Sequence, residues 1–508
     1  MSPSQPPPAR SSVVPPDPAT VAGKRSFLLF SDIHLGADLV DHVRPWKRAE
    51  GRGDPGVDKD LAAMLDHYRE GVAADERWTA IIAGDLVDFI GMNLSIADSA
   101  GVETTLTAEE HEHGLGSAKD HAAAKVRATA QRHPAVFAAL GRFVAAGHSL
   151  VVVRGNHDLD FHWEAAQDAF IAAMAKRSGS DLEDLRSRVE FHAWFYYVEG
   201  LLFVEHGHQY DAMCNYPNLL APVRPDDPER LEWSFSDWLL RTVARPTPGL
   251  GADGHQNKGM GEYWAFARSV GLVGMLRLGY RFVRAIGAGI RTGRERLGDA
   301  ADKIKGQHDK AMERLATRFR TPLDQLRKVA ALWPAPVTRG ALSVLRSVFM
   351  DRVVGVALAA LLVGVLAMAG APLWLLGGVT AAASVALFFY FRGAGKIRER
   401  EVNPEEMMKQ GARKVSKLMP SRFVVMGHTH HPCVEELGDG ATYVNLGHWG
   451  VDDLDGVAAD PPRTHLVLKA AGKEFIAELR RWISGSGPAP FAEADELAAP
   501  PPAVSTAA

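Results

Sequence analysis

Cysteine is nearly missing from this chain: Cys214 and Cys433 are the two in 508 residues. That scarcity excludes a disulfide framework and fits a reducing compartment. Charge of one sign is also lacking. The formal net charge is −4 and the pI about 6.6, so the molecule as a whole is no general nucleic-acid binder. The first 25 residues have no apolar stretch of the kind a secretory signal needs. Rich in Pro and Ser, 1–25 is expected to be a disordered leader, and 484–508, rich in Gly, Pro and Ala, a disordered tail. No internal repeat stands out. The length and the hydrophobic content of 46% permit a full globular core and more than one unit.

The near-neutral total hides an asymmetry. Residues 264–350 hold 17 Lys or Arg against 6 Asp or Glu, a balance of +11, which leaves −15 for the remainder. Directly after this basic segment, 353–391 is an apolar run of 39 residues. As one helix at ~1.5 Å per residue it would reach roughly 58 Å, far beyond a ~30 Å hydrocarbon core. Gly370-Ala371-Pro372 predicts a turn near its middle, dividing it into Val353–Ala369 and Leu373–Phe391, of 17 and 19 residues. The expectation is a transmembrane hairpin over 351–392. Arg346 and Arg352 before it, and Arg392, Lys396, Arg398 and Arg400 after it, place both ends in the cytoplasm. The alternative is a buried helical hairpin or a dimer contact in a soluble protein. Upstream, Arg277, Arg281, Arg284 and Arg291 share one face of a helix. That helix either lies on anionic lipid headgroups or packs on the rest of the protein with a solvated basic face.

Short apolar runs elsewhere read as buried strands: Ser26–Phe30, Thr79–Ala83, Ser149–Val153, Arg422–Met426, Thr442–Asn445 and Thr464–Lys469. Glu190–Glu205 reads as two strands joined at Glu199-Gly200, and Glu474–Trp482 as a last strand or a helix. Thr107 with Glu110 forms a helix-start signature. Polar clusters follow most of these runs in one order: Ser31-Asp32-Ile33-His34, Gly84-Asp85-Leu86-Val87-Asp88, Gly155-Asn156-His157-Asp158, Glu205-His206-Gly207-His208 and Gly427-His428-Thr429-His430. Ligands in open α/β sheets sit beyond strand ends. Gathered there, Asp32, His34, Asp85, Asn156, His206, His428 and His430 would supply oxygen and imidazole ligands for two divalent metal ions. A donor set without thiolate suits Mn, Fe or Zn better than Ca or a structural zinc.

This ordered set resembles the calcineurin-like metallophosphoesterases, with their D-x-H, G-D-x-x-D, G-N-H-[DE], separate His and G-H-x-H elements. Asn445-Leu446-Gly447-His448-Trp449 is similar to the N-x-G-x-W that often trails the last of them. The likeness covers 26–215 and 422–482. It implies an α/β fold, a two-sheet sandwich flanked by helices. It also implies that Asp32, His34 and His430 hold one metal, that Asn156, His206 and His428 hold the other, and that Asp85 bridges. In such a site a dimetal-bound hydroxide attacks phosphorus and His157, oriented by Asp88, protonates the leaving oxygen.

Two departures narrow the substrate. Phe89 stands where protein phosphatases of the superfamily carry Arg after G-D-x-x-D. His157 stands where UDP-diacylglucosamine pyrophosphohydrolases commonly carry Arg. The organisation expected is a metallophosphoesterase domain in two parts, 26–225 and 393–483, interrupted by a basic helical insertion, 226–350, and the hairpin. The function expected is a membrane-associated, cytoplasm-facing hydrolase of a phosphoester or pyrophosphate, with a lipid-linked substrate in view and nucleic acid not expected. The alternatives are a UDP-diacylglucosamine pyrophosphohydrolase-like enzyme and a catalytically idle metal-bound scaffold. His111, His113, His121, His133 and His148 are expected on the surface, His208 and Asp211 beside the metals, Cys433 in the core, and Arg154 on phosphate or at the surface.

Overall fold

The computed structural model of the chain describes residues 25–39, 55–71, 76–95, 101–247, 260–295, 298–347, 350–401, 403–450, 462–471 and 474–492. The expected leader up to 24 and the tail beyond 492 lie outside the described residues. In chain order the strands are β1 (Arg25–Phe30), β2 (Arg77–Ala83), β3 (Ser149–Val153), β4 (Val189–His192), β5 (Phe195–Val198), β6 (Leu202–Glu205), β7 (Phe423–Met426), β8 (Cys433–Gly438), β9 (Ala441–Asn445), β10 (Thr464–Ala471), β11 (Glu474–Ile483) and β12 (Gly487–Pro490). One sheet has the order β12-β11-β10-β1-β2-β3-β4, the other β5-β6-β7-β9-β8. Strands β1 to β4 run parallel, as do β6, β7 and β9; the outer pairings are antiparallel.

Because central parallel strands are covered on both faces, they read as unbroken apolar runs. Alternation still sorts their side chains. Phe27 and Leu29 of β1, Ile81 of β2 and Val151 of β3 meet Val204, Val425 and Val444 of the other sheet. Leu28, Phe30, Ile82 and Val152 turn the other way, onto helices Pro55–Glu70, Lys119–Arg132, Pro134–Ala145 and Glu164–Ser178. The outer face of the second sheet, through Phe203, Val424 and Tyr443, is covered by helix Pro404–Leu418 and by Asp299–Arg318 and Leu323–Ala330 of the insertion. The architecture is mixed α/β, two sheets between helical layers, consistent with a metallophosphoesterase fold.

Several expectations are refined. Glu190–Glu205 makes three strands, because β4 stays in the first sheet while β5 and β6 enter the second. Trp194 sits at that crossing, fully buried, its indole donating to Glu205 at 2.8 Å. Glu474–Ile483 is a strand, and β12 pairs with it, so the expected disordered tail is corrected at its start. The helix start at Thr107 is a full capping box with Glu110.

The apolar run forms two helices, Met350–Met368 and Leu373–Glu401, turning at Gly370 with a left-handed φ of 78°. They lie antiparallel, with Tyr390 donating to Asp351 at 2.8 Å. Leu358, Leu361, Leu373, Trp374, Phe388 and Phe389 are exposed. Among the described residues one helix, Leu373–Gly393, is long and apolar enough to cross a membrane; its neighbour Val354–Met368 is shorter. Of the expected pair of spans, one has a candidate of sufficient length among the described residues. The basic helix upstream, Met260–Glu295, turns Arg281 onto Pro246 O and Thr247, and Arg284 onto Glu112. Its exposed residues are Leu272, Leu276, Tyr280 and Val283 together with Arg277, Arg284 and Arg291.

Phe27 lies fully buried between the sheets. Phe27→Ala is expected to cost about 3–5 kcal/mol, read as a lowered denaturation midpoint with an unchanged slope.

Candidate metal centre

Both sheets end their parallel strands at one place. Asp32 follows β1, Asp85 follows β2, Asn156 and His157 follow β3, His206 follows β6, and His428 and His430 follow β7. The loops are stitched to one another: Ile33 N–H donates to Asp85 O at 2.9 Å and Gly427 N–H to His206 O at 2.9 Å. Asp32, His34, Asp85, His428 and His430 all adopt left-handed φ, between 53° and 71°. Each costs a non-glycine residue roughly 1 kcal/mol or more. Such strain gathered in one place points to a function that requires it.

All seven expected ligand residues come together. Nε2 of His430 lies 3.2 Å from Asp32 Oδ1 and 3.3 Å from Nε2 of His34, itself 4.0 Å from Asp85 Oδ2. Nε2 of His206 lies 3.1 Å from Asp85 Oδ2 and 3.2 Å from Asn156 Oδ1. Its Nδ1 donates to Ala83 O at 2.8 Å, leaving Nε2 as the ligand atom. The His428 ring stands 5.3 Å from that of His206, with Nε2 3.4 Å from Asp211. Asp32, His34 and His430 form one group able to hold a cation, and Asp32, Asp85 and His206 another.

Charge explains why such a group forms. Asp32, Asp85 and His206 are at most 1% exposed. Burial pushes Asp85 up, yet His206 and His157 hold its pKa well below the usual carboxylate range. Asp32 behaves likewise, with His206 and His430 as the opposing groups. Conversely, burial would lower His206, but Asp85 and Asp32 raise it to about 9. The carboxylates thus draw positive charge onto these rings. Divalent cations held by the same atoms would supply it instead, so the donor set fits metal.

His157 completes the cluster. Its Nδ1 donates to Asp88 Oδ1 at 2.8 Å and its ring lies 4.6 Å from that of His34. Its backbone N–H holds Asp85 Oδ1 at 2.8 Å. Burial opposes its protonation, but Asp88, then Asp85, raise its pKa to about 10. Asp158 ties the loops together, accepting from Leu86 N–H at 2.9 Å.

Other expectations fare less well. His113, His121, His133 and His148 are buried, against the surface reading; His111 is exposed. Backbone donors take three of them in: Gly116 N–H donates to His121, Gly36 N–H to His133 and Trp78 N–H to His148. Arg154 is buried too, spent on Ala193 O and Leu219 O at 3.0 Å. Cys433 is half-buried. His208 is fully buried against His206 and His428, at 5.4 and 6.4 Å between ring centroids. His448 donates to His430 O at 3.0 Å and stacks on its ring, holding it in place. Sequence reasoning placed Asp158 in a cluster without giving it a role and missed Arg245; the latter bonds Asp88 from 157 residues away, a distance at which no motif signals it. A cavity of about 590 Å³ lies apart from the ligands, where Glu110, Glu112, Arg230 and Arg284 line it already paired.

A Cβ on Gly427 would meet Asp32 Oδ2 at 2.3 Å and Ser31 Oγ at 2.5 Å. Gly427→Ala is therefore expected to lower bound metal by about half or more through a shifted carboxylate, as is typical when tight packing admits no extra atom. Metal analysis alongside an unchanged circular dichroism spectrum would check this.

Residues 25–271 match the model of the calcineurin-like phosphoesterase family. No curated protein matches the chain. The match reaches further than the likeness first drawn over 26–215, and it ends before β7, whose loop brings His428 and His430. Its scope is a metal-dependent phosphoester hydrolase in general. Over those residues the chain is similar to the calcineurin-like phosphoesterase family.

Proposed function

We propose that the protein hydrolyses a phosphoester or pyrophosphate bond with two divalent metal ions, Mn, Fe or Zn, while tethered at the cytoplasmic face of a membrane. The observation that carries the catalytic part is the meeting of two buried carboxylates, one asparagine and four histidines beside an acid–carboxylate pair. Asp32, His34 and His430 would hold one ion and Asn156, His206 and His428 the other, with the Asp85 carboxylate available to either. Bound there, the ions would stabilise charge on the phosphoryl oxygens and make a nucleophile of water near neutral pH. His157 then presents Nε2 to the leaving oxygen and donates a proton, while Asp88 keeps the ring in the required tautomer. A catalytically idle scaffold would have no use for that buried pair.

Support for the tether lies in the exposed apolar faces of the 350–401 hairpin and in Leu272, Leu276, Tyr280 and Val283 of the basic helix. Soluble proteins rarely leave so much contiguous apolar surface open to water. Arginines flank both features, as an anionic cytoplasmic leaflet requires. Phosphate on a lipid would meet the site without leaving that leaflet.

Three measurements test this reading. Manganese-loaded protein should hydrolyse bis(4-nitrophenyl) phosphate, and Asp85→Asn should lower the rate by about 10²-fold or more; equal rates in both would defeat it. His157→Ala should slow turnover by about 10²-fold or more with metal content intact, and lost metal would instead make His157 a ligand. The full chain expressed in cells should stay with membranes through salt and alkaline washes and leave in detergent. Recovery in the soluble fraction would remove the tether and leave the chemistry standing.

A further inference from the structure

The carboxylate that orients His157 is itself held from outside the recurring motifs. Asp88 is buried and divides its oxygens: Oδ1 accepts from His157 Nδ1 at 2.8 Å and Gly91 N–H at 2.7 Å, while Oδ2 accepts from Arg245 Nη2 at 2.7 Å. The guanidinium, with 4% of its side chain exposed, also donates from Nη1 to Ala37 O at 3.0 Å, in the loop after His34. A planar fork bound at both ends has little freedom to rotate. Room for it exists because residue 91 is glycine: a Cβ there would lie 2.2 Å from Arg245 Nη2 and 2.0 Å from Asp88 Oδ2.

Arg245 is in turn secured by its neighbours. It ends the turn Leu240–Ala244, where Arg241 donates to Glu109 at 2.7 Å. The next two residues are gripped by Arg281 of the long helix, which donates to Pro246 O at 2.7 Å and Thr247 Oγ1 at 2.9 Å. A surface ion pair would need none of this support and would orient nothing.

We infer that Arg245 is a positioning residue for proton donation: by fixing the rotation of the Asp88 carboxylate, it aims the His157 ring at the leaving oxygen. This rests on the proposed role of His157. It makes the segment after the first metal-binding half a working part of the site, since the line Arg281, turn 246–247, Arg245, Asp88, His157 is continuous.

The leaving group provides the test. Nitrophenolate departs without a proton, whereas phenolate, whose conjugate acid has a pKa of about 10, needs one. Full-length, manganese-loaded Arg245→Ala should lose at least about tenfold more turnover on diphenyl phosphate than on bis(4-nitrophenyl) phosphate, with metal content unchanged. Arg245→Lys, which keeps a cation against Asp88 and so guards against a folding failure, should recover part of that selectivity. Equal losses on the two esters, no loss on either, or a lysine variant no better than alanine would overturn the role. An unsubstituted protein that hydrolyses neither ester would defeat the phosphoesterase reading itself, and this role with it.

Discussion

Two negative charges buried side by side, Asp32 and Asp85, are the constraint around which the rest of the molecule is arranged. Left alone in a low-dielectric interior they would take up protons or open the loops to water. Imidazoles from the second sheet prevent this: His206 and His430 face them at 3.1–3.2 Å. No single strand end can deliver so many groups to one point. Bringing them there takes two sheets whose parallel strands finish at a common edge, and backbone forced into left-handed turns at Asp32, His34, Asp85, His428 and His430. The unfavourable turns persist because the sandwich beneath them is packed on both faces of both sheets.

The division of labour between the sheets follows. The first sheet contributes Asp32, His34, Asp85 and Asn156, the second His206, His428 and His430. Oxygen thus comes mainly from one layer and nitrogen from the other, and the inter-sheet core sets the distance between them. Packing of Phe27, Val204 and Val425 is in that sense part of the site's geometry, although none of the three touches it. A residue far from the chemistry can then degrade it by shifting one layer against the other.

Strand positions and the residues that gather at the strand ends were legible in the sequence for one reason: each motif is local, a polar cluster directly after an apolar run. What was not local was not legible. The break that makes three strands of Glu190–Glu205 depends on Trp194 meeting Glu205 across a change of sheet. Buried His133 and His148 are accepted by the interior because backbone N–H groups 97 and 70 residues away donate to them, and His121 takes the nearer N–H of Gly116. Periodicity sees a polar residue and assigns it to water; tertiary hydrogen bonds decide otherwise. The long helix was legible in part: Arg277, Arg284 and Arg291 are exposed, as the solvated-face reading had it, while Arg281 turns onto Pro246 and Thr247 and apolar side chains share the exposed surface.

That mixed surface bears on how the insertion relates to the site. Leu272, Leu276, Tyr280 and Val283 stand open to water at a cost of tens of cal/mol for each Å² left exposed. The outer face would gain by meeting an apolar phase, and the inner face carries Arg281, one contact from the turn that bears Arg245. Meanwhile Asp299–Arg318 and Leu323–Ala330 serve as ordinary covering helices for the second sheet. The insertion is thus built into the sandwich at one end and offers an apolar surface at the other. Arg281 bonds Pro246 and Thr247 while Arg245 bonds Asp88, so the 240–247 turn joins the insertion to the loops where the acidic and imidazole groups meet.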